Sequence, residues 1–355
     1  MLSGHMRSKP PVHHGVLGVA LLLAAVVGCS SNTFKSAPPT IEPAVAAVSP
    51  PVSASPAGQV RPLAERATAA AFDGGTHQLA VLAPGADPNR PATVTVFGGT
   101  SAAPRVVSLP GPATALTDDG RGTLFLAARG GYFVVDLSTG RAARVNVADA
   151  AQADFTAVAL RADGKLVLGS ADGAVYTLAS PTPGAVATAT VGSRSKIFAR
   201  VDWLATQGNT TAVLDRGQTS VTTIGADGQV QQALRAGEGA TTMAADPWGR
   251  VLVADTRGGQ LLVYGVDPLI LRQAYPVPQA PYALAGSREL SWVTQTASNI
   301  VVGYDLSTGI PVEKVRYPTV QQPNSLAFDE ASDTLYVVSG SGAGVQVIEH
   351  AAGPR

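Results

Sequence analysis

The sequence predicts an all-β fold, a seven-bladed β-propeller of four-stranded antiparallel blades closed by an N-terminal strand. Three observations carry this. A phrase of small apolar strand, Asp or Gly turn, very apolar strand, Gly-rich turn and third strand recurs seven times between Thr68 and His350. Its first turn falls at Asp73, Asp119, Asp163, Gly208, Asp246, Gly286 and Asp329, in steps of 38 to 46 residues, the length of one propeller blade. The run Asp136-Leu137-Ser138-Thr139-Gly140 returns as Asp305-Leu306-Ser307-Thr308-Gly309, 169 residues on, or about four blade lengths. No stretch sustains the 3.6-residue period of an amphipathic helix.

The elements follow in chain order. Arg7, Lys9, His13 and His14 form a basic head before an apolar run over residues 15–28, and the single cysteine, Cys29, comes next. Fourteen apolar residues are too few for a bilayer, which needs roughly 20. Val26-Val27-Gly28-Cys29 resembles the bacterial lipobox, which implies a lipoprotein signal peptide over 1–28, acylation of Cys29, and an anchor in the outer face of the cell membrane. Two or more acyl chains hold stably where one does not. Residues 29–58 carry Pro38, Pro39, Pro43, Pro50, Pro51 and Pro56 among Ser, Ala and Thr, with Lys35 and Glu42 as the charges. Such a segment is expected to be an extended tether reaching up to about 90 Å.

Residues 59–350 read as the propeller, with 351–355 a short tail. In the second unit, strands over 114–117, 123–128, 132–136 and 143–147 alternate with turns at Asp118-Asp119-Gly120, Arg129-Gly130-Gly131 and Ser138-Thr139-Gly140. Asp-Gly turns tolerate positive φ and close hairpins. Second strands such as Leu124-Phe125-Leu126, Leu166-Val167-Leu168 and Val251-Leu252-Val253 are continuously apolar, as expected of strands buried on both faces. The last unit shows only three strands, and an open sheet edge is a liability. Residues 59–63 are expected to supply the missing fourth strand beside 345–348.

Composition narrows the function. The chain holds 25 basic and 25 acidic residues, 14% of positions being charged. Without a basic stripe or polybasic run, nucleic acid and headgroup binding are not expected. One cysteine excludes an intramolecular disulfide. Beyond Cys29 the only histidines are His77 and His350, so neither a metal-spaced His cluster nor a Ser-His-Asp set can be assembled. Asp119, Asp163, Asp227 and Asp246 recur at turns, where Asp bonds its own backbone, rather than forming calcium loops. No cofactor is implied, and Trp203, Trp248 and Trp292 are too few for quinone stacking.

The Asp-Leu-Ser-Thr-Gly turns after Tyr-Phe-Val-Val and Ile-Val-Val-Gly-Tyr resemble the YVTN-type, lactonase-like propellers of bacterial envelopes, over about residues 60–350. The whole chain, signal included, resembles a mycobacterial lipoprotein of that family. The resemblance implies location and fold. It also raises an alternative, since lactonase-type propellers hold a divalent metal in the channel with Glu, Asn and Asp. Asp154, Asp202 and Asn324 are the nearest approach to such a set, and no metal site is assigned.

The favoured reading is a non-catalytic, monomeric scaffold whose rim binds an envelope protein, glycan or small ligand. Blade-to-blade connections and second-to-third-strand turns share one rim. They collect Arg129, Asp154, Phe155, Arg200, Asp202, Trp203, Arg216, Arg257, Tyr282 and Asn324 as candidate ligand-binding residues, with Asp172, Asp215, Asp255, Gln321 and Gln322 beside them. Arg and aromatic side chains are the usual energetic centres of binding surfaces.

Overall fold

The computed structural model describes residues 39–353 apart from 64, 86, 88, 100, 101 and 181–186. The signal peptide and Cys29 lie outside the described residues. The seven repeats are seven antiparallel blades. Their innermost strands are Ala69–Asp73, Ala115–Asp118, Phe155–Leu160, Trp203–Gln207, Ala240–Ala245, Pro281–Gly286 and Pro323–Asp329. Each lies beside the innermost strand of the next blade, and the ring closes between the first and the last. No α-helix occurs among the described residues.

The apolar second strands explain themselves once the blades are stacked. In blade 5, Val251 and Val253 pack toward blade 4, while Leu252 and Ala254 pack toward blade 6. In blade 1, Ala80 and Leu82 face blade 2, whereas Leu79 and Val81 face blade 7. Alternating side chains therefore feed two different cores, and most positions on such a strand are buried. Among the described residues the buried apolar side chains fall into seven clusters, one per interface between neighbouring blades. Each fully buried Val or Leu contributes about 1.5–3 kcal/mol by leaving water.

Hydroxyls stitch the inner wall. Thr114 Oγ1 donates to the Phe155 carbonyl of the next blade at 2.7 Å, Thr156 Oγ1 to Val201 at 2.5 Å, and Thr206 Oγ1 back to Leu160 at 2.7 Å. Thr242 Oγ1 makes the same contact to Tyr282. Carboxylates organise the turns. Asp119, Asp163, Asp227 and Asp246 each accept backbone N–H bonds from residues two or four positions on, the turn chemistry expected of them. Asp73 reaches across blades, accepting from Thr76 at one oxygen and from the Gly122 N–H at the other.

Blade 7 is completed from the N-terminus, as expected. Gln59–Arg61 pairs antiparallel with Val345, Gln346 and Val347. The Arg61 guanidinium, itself buried, donates to Gly98 at 2.9 Å, Gly99 at 3.3 Å and Ala102 at 2.5 Å, all carbonyls of blade 1. It also lies 4.7 Å from the centre of the Phe97 ring. The closing strand is therefore fastened both to its own sheet and to the first blade. A second edge is covered unexpectedly: Thr188–Ala189 adds a parallel strand to the outer edge of blade 2, opposite Asn146 and Val147.

One residue within the expected tail, Ala351, is packed against the last blades. Ala351 is buried and its N–H donates to the Asp333 carbonyl at 2.9 Å, while its own carbonyl accepts the Tyr317 hydroxyl at 2.9 Å.

Two outcomes follow from this arrangement. Arg61→Ala should lower stability by about 2–4 kcal/mol, the sum of charge-assisted bonds left unmade and a lost cation–π contact. Urea denaturation of the purified protein checks this, and a change under 0.5 kcal/mol would show that Arg61 does not hold the ring. The second concerns Asp118, whose carboxyl is pushed up to about 6, first by burial and then by nearby Asp73 and Asp119, against a lowering bond from the Gly120 N–H. A folded-state value above the unfolded one means that the native state binds the proton more tightly. Stability from this group is therefore present at low pH and lost as pH rises through 6. Asp118→Asn should raise stability at pH 7.5 by about 1–3 kcal/mol and leave it unchanged near pH 4. Thermal melts at the two pH values read the difference, and a pH-independent effect would contradict it.

Candidate ligand-binding rim and channel

Seven innermost strands surround the propeller axis and present mostly small side chains to it. The channel between them holds two adjoining cavities of about 310 and 350 Å³. Their walls are mostly Ala, Thr and Leu, including Ala69, Ala115, Leu116, Thr117, Ala157 and Ala205, with Trp203, Met243, Phe72 and Phe328 as the large members. Polar side chains stand at the ends. Asp202 and Asn324 lie where the strands begin, and Asp118 lies where they finish. Among the described residues no three His, Cys, Asp or Glu side chains converge as a metal group would require.

The rim at the strand-beginning end carries most of the expected residues, but it does not gather them all. Asp202 is held by Arg200 Nε at 3.1 Å and by the Arg216 backbone N–H at 3.1 Å, with Arg216 Nη1 3.9 Å away. Trp203 follows directly and lines both cavities. Asn324 lines the second cavity and accepts from Gln322 Nε2 at 3.0 Å. Asp202, Trp203, Arg216 and Asn324 therefore form the mouth.

Six expected residues stand elsewhere or serve another purpose. Phe155 is a correction: it is fully buried and packs edge-on against Tyr176 at 5.2 Å, in the core between blades 2 and 3. A β-bulge between Phe155 and Ala157 shifts the register there. Tyr282 packs against the core between blades 6 and 7, and burial pushes its phenol up. Asp154 opens onto a separate surface depression with Gln152, Asp172 and Tyr176, so it does not meet Asp202 and Asn324 in the channel. Arg129 lies in the second-to-third-strand turn of blade 2, where its guanidinium is bonded to Gln152 Oε1 at 2.9 Å. Asp215 and Asp255 are structural. They are fully buried, and their carboxylates accept N–H bonds from Ala199 and Gln218, and from Glu238, Gly239 and Gly258, pinning each turn to the incoming loop.

The largest departure is at residues 39–58, expected to be free tether. They form no strand or helix, yet they lie along the rim of blades 4 to 7. Ile41 donates its N–H to the Gly217 carbonyl at 2.8 Å. Arg257 Nη2 donates to the Glu42 carbonyl at 2.7 Å, and Arg216 Nη2 donates to that of Ala44. Gln322 takes the strap from both sides: Nε2 donates to the Ala47 carbonyl at 2.8 Å and Oε1 accepts the Ser49 N–H at 3.0 Å. Ser49 Oγ donates to the Thr296 carbonyl at 2.6 Å, and Asn299 Nδ2 to that of Pro50 at 2.8 Å. Beyond it, Ala57 is tied to Pro318 and Gln346. None of these strap residues lines the channel cavities. Composition predicts freedom because few strap side chains can be buried. The hold is instead on the strap's carbonyls, which composition does not report.

Asn299 and Thr296 were not expected in the site. The signal was available, since the blade register puts them in the same class of turn, between second and third strands, as Arg216 and Arg257. Both Asn299 and Gln322 adopt left-handed backbone, at φ of 52° and 57°, the kind of strained position that clusters at functional contacts.

No family model matches this chain, and no curated protein matches it. Solved structures do. A chain of the mitotic checkpoint complex is 13% identical, with a TM-score of 0.67 over 86% of this chain and 98% of that one. Virginiamycin B lyase from Staphylococcus aureus is 11% identical, with a TM-score of 0.66 over 82% of this chain and 98% of that one. Hydrazine synthase from Kuenenia stuttgartiensis is 13% identical, at 0.64 over 83% and 98%. At such identities the shared property is the β-propeller fold, a frame that hosts unrelated functions and does not choose among them.

Proposed function

We propose that this chain is an exported lipoprotein, acylated at Cys29, whose propeller acts as a non-catalytic binding scaffold at the outer face of the cell membrane. Its rim would bind an envelope protein, glycan or small ligand. The observation that carries this reading is the contrast between channel and rim. The channel wall offers methyl groups and hydroxyls already engaged between blades, with its few polar side chains split between opposite ends. The rim offers guanidinium and amide donors that take the backbone carbonyls of an overlying segment, as at Arg257 and Gln322, or a neighbouring carboxylate, as at Arg200. A lactonase-like hydrolase would need convergent carboxylates and amides, and Asp154, Asp202 and Asn324 do not share a cavity.

The anchor and the rim are linked by a short stretch. Ten residues separate Cys29 from Pro39, which bounds the distance at about 35 Å in any conformation. That is well short of the reach of a tether free through Gly58, so a rim partner would be one found close to the membrane surface.

Two measurements test the reading. Cys29→Ala should abolish palmitate labelling and release the protein from the membrane fraction; retention of both would remove the anchor. A photo-crosslinking side chain at Arg200, on the rim, should capture a discrete partner in intact cell envelopes. The same group at Arg121, in the turn at the other end of the blade 2 inner strand, should not. Equal capture from both positions, or none from Arg200, would count against a rim-binding scaffold.

A further inference from the structure

We propose that the rim of blades 4 to 7 is a peptide-binding groove that reads the backbone of an extended Pro- and Ala-rich segment, with residues 41–50 of this chain as its resident occupant. The proposal rests on the reading of this rim as the binding face and names the chemistry that the face recognises.

The donors reveal what the groove reads. Five side chains, Arg257, Arg216, Gln322, Gln321 and Asn299, each donate to one strap carbonyl, those of Glu42, Ala44, Ala47, Ser49 and Pro50. Only two strap N–H groups enter these contacts, from Ile41 and Ser49. A groove that takes carbonyls accepts proline, which has no N–H to lose, and Pro43, Pro50 and Pro51 all fall where none is used. Proline also holds the segment extended, so less freedom is lost on docking. Gln322 meets one carbonyl and one N–H of the strap, as a neighbouring β-strand would.

Side chains are selected at two points. Ala44 is 6% exposed, and a Cβ placed on Gly239 would come within 2.9 Å of the Ala44 Cβ. The notch exists because position 239 is glycine, and it admits only a small residue. Ser49 is 4% exposed, its hydroxyl bonded to the Thr296 carbonyl. Between and around these points the strap turns outward, Val45 being 69% and Val48 90% exposed. A segment serving only to cover the fold would bury its valines. This one is held mainly by hydrogen bonds, which a competing peptide can remake one for one. The preferred sequence is a small residue, four unrestricted positions, then Ser followed by Pro.

The resident strap competes at an effective concentration on the order of millimolar. An exported protein carrying the same pattern in an extended segment would therefore bind by displacing it. The test uses the full chain in detergent and a fluorescein-labelled synthetic peptide matching residues 39–52. The double variant Ala44→Leu, Ser49→Pro blocks the notch contact and removes the Ser49 N–H and hydroxyl from the strap alone, leaving the groove untouched. Limited proteolysis should show the strap released, and fluorescence anisotropy should show the peptide binding at least ~10-fold more tightly than to the wild type. Adding Gln322→Ala should abolish that binding, as should Leu at the peptide's Ala44 position. The proposal fails if the strap stays protected in the double variant. It fails equally if the released groove takes up no peptide, or takes the Leu-bearing peptide as well. These failures leave capture from Arg200 unaffected, so the scaffold reading stands or falls separately.

Discussion

A propeller ring holds only if its last sheet has no open edge, and here the strand that closes it comes from the N-terminal side. Once Gln59–Arg61 is fixed against Val345–Val347, the path of everything before it is constrained. Gly58 makes the turn into that strand at φ of 69°, where a Cβ would strike the Val347 carbonyl at 2.1 Å. Ala57 is then pinned to Pro318 and Gln346. From there the chain, followed backward, passes the turns of blades 6, 5 and 4. The strap's place on the rim is thus a consequence of closure, and Arg61 secures closure by bonding into blade 1.

Division of labour among similar turns follows from burial. The turns between second and third strands begin at Asp215 and Asp255 in blades 4 and 5. Both carboxylates are buried, and each accepts three backbone N–H bonds. In place of a salt bridge, several aligned backbone dipoles stabilise each charge, although burial still pushes Asp215 up. Just beyond them, Arg216 and Arg257 direct their guanidinium groups to the strap. One turn type therefore supplies rigidity with its first residue and recognition nearby.

The ring was legible in the sequence because its causes are periodic. Seven turns at blade spacing, apolar second strands and a three-stranded last unit each report a physical need: hairpin geometry, burial on two faces, and an edge to cover. Asp119, Asp163, Asp227 and Asp246 were legible for the same reason, since Asp at a fixed turn position has local work to do. Phe155 and Tyr282 were not. Whether the first residue of an inner strand points to the channel or to the neighbouring blade depends on strand rotation, and a β-bulge between Phe155 and Ala157 shifts the register there. The strap was hidden differently. A Pro-rich segment with exposed valines has the composition of a linker, and the partners of its carbonyls lie about 170 to 275 positions further along the chain.

Strap and channel meet through two side chains. Arg216 stands between Asp202 at the mouth and the Ala44 carbonyl on the strap. Gln322 stands between Asn324 on the cavity wall and the Ala47 carbonyl. Each side chain is shared, so loss of the strap would take from Arg216 and from Gln322 one of two acceptors beside the opening. Unpaired donors of this kind are costly when partly buried, and whatever restores their partners is favoured by the same amount. A peptide carbonyl restores them from the rim side, and an acceptor on a ligand at the mouth restores them from the channel side. On the proposed reading of the rim, Arg216 and Gln322 are the residues through which occupancy of the groove and occupancy of the mouth would influence one another.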